Sequence, residues 1–399
     1  MHVTHRNRTD IAGKIRLSEL ALLFLRLGTT AFGGPAAHIA IMEDEVVRRR
    51  RWVSREKFLD LLGAANLIPG PSSTELAIFI GYLCQGWAGL LLGGVCFIIP
   101  AMIIVIGFAW AYVQFGSLPQ VTWLLYGIKP VVIAIILQAL WQLGRTAIKN
   151  QFLGALAIAG IILNLIGINI LVILFGIGML SGTWQGLSQD RSRNWQPLLI
   201  MLTAAGGFLL AAYFATGLYS TGKVPFGWLP LFLFFVKVGS IVFGSGYVLL
   251  AFLQSDLVAH WHWLTTTQLL DAIAVGQVTP GPVFTTATFI GYLLAGLPGS
   301  LIATAGIFLP SFILVAVVGP LIPRIRQSAV AGAFLDGVIV ASLALMVVVT
   351  WHLGRDAVID LPTAFLAIVS AILLIRFGLN SLWLLLGGVI IGLLANMAH

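Results

Sequence analysis

Apolar residues run along this chain in long blocks, and the places where the blocks stop define its elements. Residues 17–33 predict an apolar helix that ends at Phe32-Gly33-Gly34-Pro35. Residues 36–49 predict an amphipathic helix carrying Glu43, Asp44 and Glu45. Residues 55–67 and 72–84 predict two short helices, neither reaching the roughly 20 residues of a simple span. Together they read as a re-entrant hairpin. Residues 87–114 and 119–146 are long spans, and 150–167 and 169–182 are shorter, paired ones. A polar linker with Arg191 and Arg193 occupies 183–196, and 197–216 predicts one extra span. From about residue 226 the plan repeats to the C-terminus.

The sharpest interruption is Asn66-Leu67-Ile68-Pro69-Gly70-Pro71-Ser72-Ser73-Thr74-Glu75. A second version is Gln277-Val278-Thr279-Pro280-Gly281-Pro282-Val283-Phe284-Thr285-Thr286. Proline removes a backbone donor and clashes with a helix running through it. The residue before it is pushed out of helical geometry. Each stretch is therefore a broken helix with a new helix starting after the second proline. Within a bilayer such a break persists only where it is buried in protein or lines a polar cavity.

The two breaks belong to an internal repeat. Phe24-Leu25-Arg26-Leu27-Gly28 recurs 211 residues on as Phe235-Val236-Lys237-Val238-Gly239. In the same register Phe32-Gly33 matches Phe243-Gly244, Trp52 matches Trp263, Asp60 matches Asp271, and Pro69-Gly70-Pro71 matches Pro280-Gly281-Pro282. After a one-residue gap, Phe79-Ile80-Gly81-Tyr82 matches Phe289-Ile290-Gly291-Tyr292, and Trp141, Gly144 and Arg145 match Trp351, Gly354 and Arg355. The chain divides into a cytoplasmic N-terminal segment (1–16), a first repeat (17–182), a linker with the extra helix (183–225) and a second repeat (226–399). Paired breaks in two halves point to a transport site.

Charge orients the halves. Arg48, Arg49, Arg50, Arg51, Arg55 and Lys57 crowd residues 48–57, whereas the matched segment 259–268 has no Lys or Arg. Arg324 and Arg326 come after the first long span of the second half, and the matched place near 114–116 has none. Under the positive-inside rule this reciprocal bias fits inverted repeats. The extra span supplies the change of side, although Arg145 and Arg355 are discordant. The fold class expected is an all-α polytopic membrane protein of two homologous inverted-topology repeats with re-entrant, broken helices.

Composition agrees. Of 399 residues, 59% are hydrophobic and 9% charged, and the mean hydropathy is +1.02. Soluble domains carry about 25% charged residues, so the partner of this surface is the lipid bilayer. The net charge of +8 lies in loops, and with no basic domain outside the membrane nucleic acid is not an expected partner. Cys84 and Cys96 sit in apolar segments and suggest neither disulfide nor metal. Residues 1–16 are polar and basic, and the apolar run after them, which contains Arg26, is a poor match to a cleaved signal.

Arg26 and Lys237 are the most telling pair, because each is a cation inside an apolar helix. Two readings stand: buried salt bridges to Glu75, Asp60 or Asp271, or a two-sided cationic seat for an anion. Helices starting after the breaks aim free N–H groups at the broken region, where oxyanions bind readily. Ser72, Ser73, Thr74, Thr285 and Thr286 add hydroxyls, or act as ordinary caps. Gly33, Gly34, Gly70, Gly244, Ser245, Gly246 and Gly281 expose backbone donors, or allow close packing. Glu75, His38, Asp60 and Asp271 are the candidates for carrying a proton, each with a structural alternative. Glu43-Asp44-Glu45 and Arg48 to Arg51 read as a solvated surface. His260 and His262, flanking Trp261, read as interfacial anchors. No catalytic constellation, nucleotide loop, cofactor fingerprint or zinc spacing is present.

On these residues the sequence resembles the chromate ion transporter family. The likeness rests on Gly28 to His38, on Arg50-Arg51-Trp52-Val53, and on Asp60 with Asn66 to Pro71. In the second half it rests on Phe243-Gly244 and Pro280-Gly281-Pro282. The resemblance implies two membrane domains of opposite orientation in a bacterial inner membrane. It also implies export of chromate, a tetrahedral dianion, driven by the proton gradient. An importer or exchanger of sulfate or another oxyanion is the nearest alternative, and an enzyme acting on lipid phosphate or a purely structural subunit is more distant. A homodimer is the default assembly.

Overall fold

A computed structural model describes residues 15–32, 34–116, 118–189, 224–243, 246–319 and 328–398. The extra span expected at 197–216, and Arg191, Arg193, Arg324 and Arg326, lie outside the described residues, as do Gly33, Gly244 and Ser245. The rest is helical. In the first half α1 (Leu17–Thr30) and α2 (Gly34–Glu43) precede a π-helical turn, Asp44–Arg49. Next come α3 (Arg55–Ala65), α4 (Ser72–Phe115), α5 (Pro119–Ala147), α6 (Gln151–Leu165) and α7 (Ile170–Gln189). The second half has α8 (Trp228–Ile241), the short α9 (Leu249–Phe252), a second π-helical turn Leu253–His260, and α10 (Thr266–Val278). It closes with α11 (Thr286–Val318), α12 (Ala329–Ala357), α13 (Leu361–Phe377) and α14 (Ser381–Ala398).

The expected single amphipathic helix over 36–49 is two pieces, α2 and a π turn. At about 1.5 Å per residue, α1 is only about two-thirds of a bilayer core in length. The chain doubles back after it: His38 Nε2 lies 3.0 Å from the Ala31 carbonyl near the tip, while Arg26 meets Glu45 further out. α3 starts on a Ser54 cap and α10 on a Thr265–Gln268 capping box, and each runs into its proline break. α4 folds back on itself at Gln85–Gly86, so Gly81 and Gly89 pack backbone to backbone. α11 does the same at Ala295–Gly296 with Gly291 and Gly299. Small residues allow this approach, since lipid supplies no hydrophobic drive between helices. Each half thus opens with two hairpins that stop short of crossing.

Among the described residues four segments are long and apolar enough to cross a membrane: Ser72–Phe115, Val121–Ala147, Val283–Val317 and Ala329–Ala357. Their outward faces carry large apolar side chains such as Trp87, Ile103, Phe108, Ile313 and Trp351. The matched helices α5 and α12 pack antiparallel. Lys149, just past the end of α5, pairs with Asp336 near the start of α12 at 2.7 Å. Tyr126, near the start of α5, donates to Asp360 past the end of α12 at 2.7 Å. Between these ends Gly144 faces Leu343, and their counterparts Gly354 and Ile133 face each other. Such exchange of partners is the signature of an approximate two-fold axis, here perpendicular to the helices.

Candidate functional site

The four hairpin tips meet at that axis. The Gly70 N–H donates to the Val242 carbonyl at 2.8 Å, and the Gly281 N–H donates to the Ala31 carbonyl at 2.9 Å. Gly70 and Gly281 are repeat counterparts, and so are Ala31 and Val242. Each proline-glycine-proline break is therefore capped by the end of the other half's first helix. Both glycines have positive φ, +135° and +90°, a region that glycine alone enters freely. A Cβ on Gly70 would strike the Glu75 carboxyl and the Ser311 hydroxyl, and one on Gly281 would strike Ala101. Pro69, Pro71, Pro280 and Pro282 hold the two turns open by denying them helical hydrogen bonds.

The α4 start is polar and enclosed. Ser72, Ser73, Thr74 and Glu75 are all buried. Ser73 Oγ lies 3.4 Å from His38 Nδ1, while His38 Nε2 reaches the same Ala31 carbonyl that caps the other break. Glu75 accepts from Ser311 Oγ at 3.5 Å across the two halves. Its second oxygen and the Thr74 hydroxyl have no hydrogen-bond partner among the described residues. At the second break Thr285 and Thr286 each donate, at 2.8 Å, to the carbonyls of Pro282 and Val283. Their hydroxyls are thus spent on the backbone, unlike that of Thr74. The counterparts of Glu75 and Ser311 are Thr286 and Ala101, so the two breaks have the same shape but different chemistry.

The two repeat-matched cations, Arg26 and Lys237, are paired, though not with the acids expected. Arg26 Nη1 lies 3.7 Å from Glu45 Oε1, and Lys237 Nζ lies 2.6 Å from Asp256 Oδ2. Glu45 and Asp256 are 211 residues apart, so the pair itself is repeated. Glu45 is buried rather than part of a solvated surface, and Arg49 and Arg50 also reach it at 3.4 and 3.3 Å. Arg26 stands five residues before Ala31, about 7.5 Å along the helix from the tip.

Asp60 and Asp271, equivalent by sequence, differ in place: Asp60 is exposed and Asp271 buried. Asp271 takes an ion pair from Lys129 at 2.9 Å and a hydrogen bond from the Tyr112 hydroxyl at 2.7 Å. Sequence reasoning passed over Lys129 and Tyr112. Lys129 had a visible signal, a cation inside an apolar span whose repeat counterpart is Ile339. His260 and His262 are exposed and bond to backbone carbonyls of their own turn. Among the described residues no group of His, Cys, Asp or Glu could hold a metal ion.

Half-length hairpins meeting tip to tip, with breaks duplicated in two repeats, define a multi-pass membrane protein of the broken-helix transporter class. The sequence model of one family, chromate transporter, matches residues 18–183 and 229–393, and the chain belongs to that family. A chromate transport protein of Cupriavidus metallidurans is 34% identical over 386 residues, covering 95% of this chain and 93% of that protein. A chromate transport protein of Pseudomonas aeruginosa is 28% identical, covering 86% and 83%. An uncharacterized transporter of Methanocaldococcus jannaschii is 26% identical, covering 90% and 89%. No solved structure matches.

Proposed function

We propose that this protein moves chromate, and tetrahedral oxyanions of like charge, out across the bacterial inner membrane by alternating access, drawing on the proton gradient. The observation that carries the reading is the reciprocal capping of the breaks, Gly70 to Val242 and Gly281 to Ala31. It brings both helix starts, α4 and the 3-10 turn Val283–Thr285 that leads into α11, to one centre inside the helical bundle. Helix starts present partial positive charge and unpaired N–H groups to an anion. Arg26 and Lys237 supply the two formal charges that match a dianion, one from each half. Ser72, Ser73 and Thr74 offer hydroxyls at the first break, Gly34 has open space where a side chain would stand, and Gly70 and Gly281 hold the turns that aim the helix starts.

Inverted topology fits the antiparallel packing of α5 against α12: if both span, the two-fold axis lies in the membrane plane. Rocking one half against the other then opens the centre to each side in turn. Glu75 is the coupling group in this reading, being enclosed and present at one break alone. His38 links the tip of α1 to the start of α4 and is the second candidate. Asp271 is held by Lys129 and belongs to the scaffold between the halves, while exposed Asp60 is left without a coupling role.

Radiolabelled chromate flux into inverted membrane vesicles, with and without a pH gradient, tests the proposal. Uptake that rises with the gradient and is lost in Arg26→Ala with Lys237→Ala is expected. Gradient-independent flux would remove proton coupling, and normal flux in the double variant would remove the cationic seat. Sulfate is the second reading, because two point cations and helix starts recognise charge and size that chromate and sulfate share. Competition by sulfate at equal concentration would favour it.

A further inference from the structure

The repeated ion pairs have acidic members with no role so far. Glu45 and Asp256 each lie in a π-helical turn, Asp44–Arg49 and Leu253–His260. π-helical turns are rare and concentrate at functional sites. Each acid folds back on the first helix of its own half to meet the one intramembrane cation there. The pair recurs at both repeat positions with a changed residue in each place, Arg–Glu in one half and Lys–Asp in the other.

We propose that Glu45 and Asp256 are internal counter-anions, which hold Arg26 and Lys237 when no substrate is bound and yield them to the incoming oxyanion. The inference rests on the reading of Arg26 and Lys237 as the anion seat. A carboxylate and a tetrahedral oxyanion present the same oxygen edge to a guanidinium or an ammonium, so one can replace the other. Three features suit that exchange. Arg26 keeps 59% of its side chain exposed while paired, so Glu45 does not enclose it. Its contact with Glu45 is long, at 3.7 Å. And Glu45, on losing Arg26, keeps Arg49 and Arg50 and is not left buried and unpaired, which is the costly state for a charge.

On the other side Asp256 holds Lys237 more closely, at 2.6 Å, and Lys237 also lies 5.8 Å over the Phe234 ring. The two latches are thus unequal, the first loose and the second tight. Substrate that takes Arg26 and then Lys237 releases first one π turn and then the other from its helix. Occupancy is in this way transmitted to the segments leading into α3 and α10, the arms that carry the breaks.

The experiment is chromate and sulfate binding to purified full-length protein in detergent, by calorimetry, with vesicle flux on the same variants. Glu45→Gln and Asp256→Asn remove a competitor, so each should tighten binding by about 5- to 150-fold, the range of a coupling between linked sites. Each should also slow turnover, because the cation no longer has a carboxylate to return to. Unchanged affinity in both acid variants, with binding abolished in Arg26→Ala/Lys237→Ala, overturns the exchange and leaves the seat standing. Binding that survives loss of both cations overturns the seat itself. If Glu45→Gln fails to fold, Asp256→Asn, whose acid has a single cation partner among the described residues, decides the matter alone.

Discussion

The Gly70 amide donates to the Val242 carbonyl at 2.8 Å, joining the first break to the end of the other half's first helix. Gly281 and Ala31 repeat the bond with the halves exchanged. Alanine at either glycine must hold a positive φ, costing about 1–2 kcal/mol, and must also displace a packed neighbour. Gly70→Ala and Gly281→Ala should insert in the membrane yet lose most chromate flux. Ala101→Gly should restore part of the flux of Gly281→Ala, since Ala101 Cβ is what the new methyl meets. Vesicle uptake normalised to protein in the membrane is the measurement; equal loss with and without Ala101→Gly would refute the steric account.

Glu75 and Ser311 form the polar contact that distinguishes the first break from the second. Gln in place of Glu75 keeps an acceptor for Ser311 and cannot ionise. Glu75→Gln is expected to fold and to transport at a rate insensitive to the imposed pH gradient. Ser311→Ala should cost about 1 kcal/mol of stability, a typical single hydrogen bond, while keeping gradient dependence. Flux against gradient in the two variants separates coupling from packing, and a gradient response in Glu75→Gln would exclude Glu75 as the carrier.

Lys129 and Asp271 tie α5 of the first half to α10 of the second, with Tyr112 on the same carboxylate. Removing one member of a buried pair strands the other charge, at about 3–5 kcal/mol. Lys129→Met should therefore lower stability sharply, and Lys129→Met with Asp271→Leu should recover most of the loss. Tyr112→Phe should cost about 1.5–3 kcal/mol, as for a hydrogen bond to a charged group. Detergent-unfolding midpoints would check the order; a double variant as unstable as Lys129→Met would deny that the two charges answer each other.

The orientation of the halves has its own check. With Cys84 and Cys96 replaced, single cysteines at Arg51, Lys149 and Arg324 should react with impermeant reagent from the cytoplasmic side. Cysteines at Tyr126 and Asp360 should react from the other side. Labelling of positions 51 and 324 from opposite faces would reject inversion.

Much of this was readable in the sequence because repeats and prolines act locally. The breaks at Gly70 and Gly281, the short arms beside them and the long spans after Gly86 and Gly296 are dictated by residue order and spacing. What escaped was the pairing of charges. Glu45 sits in the polar run Glu43-Asp44-Glu45, where periodicity signals a wet face, and only the fold-back after Ala31 turns it toward Arg26. Lys129 meets an acid 142 positions away in the other half, a contact that no local pattern encodes. Asp60 and Asp271 show the converse, since sequence makes them equivalent and packing exposes one and encloses the other.

The tip-to-tip bonds also bear on how the chain is made. When the ribosome has completed the first half, Val242, the partner of the Gly70 amide, has not been translated, while the Ala31 carbonyl already has His38 Nε2. Unpaired backbone groups in hydrocarbon cost several kcal/mol each. The first half must then wait, its tips kept wet or sheltered by the insertion machinery, until the second arrives. The first half is therefore completed by the second, and a chain truncated after α7 should be less stable in the membrane than the full chain.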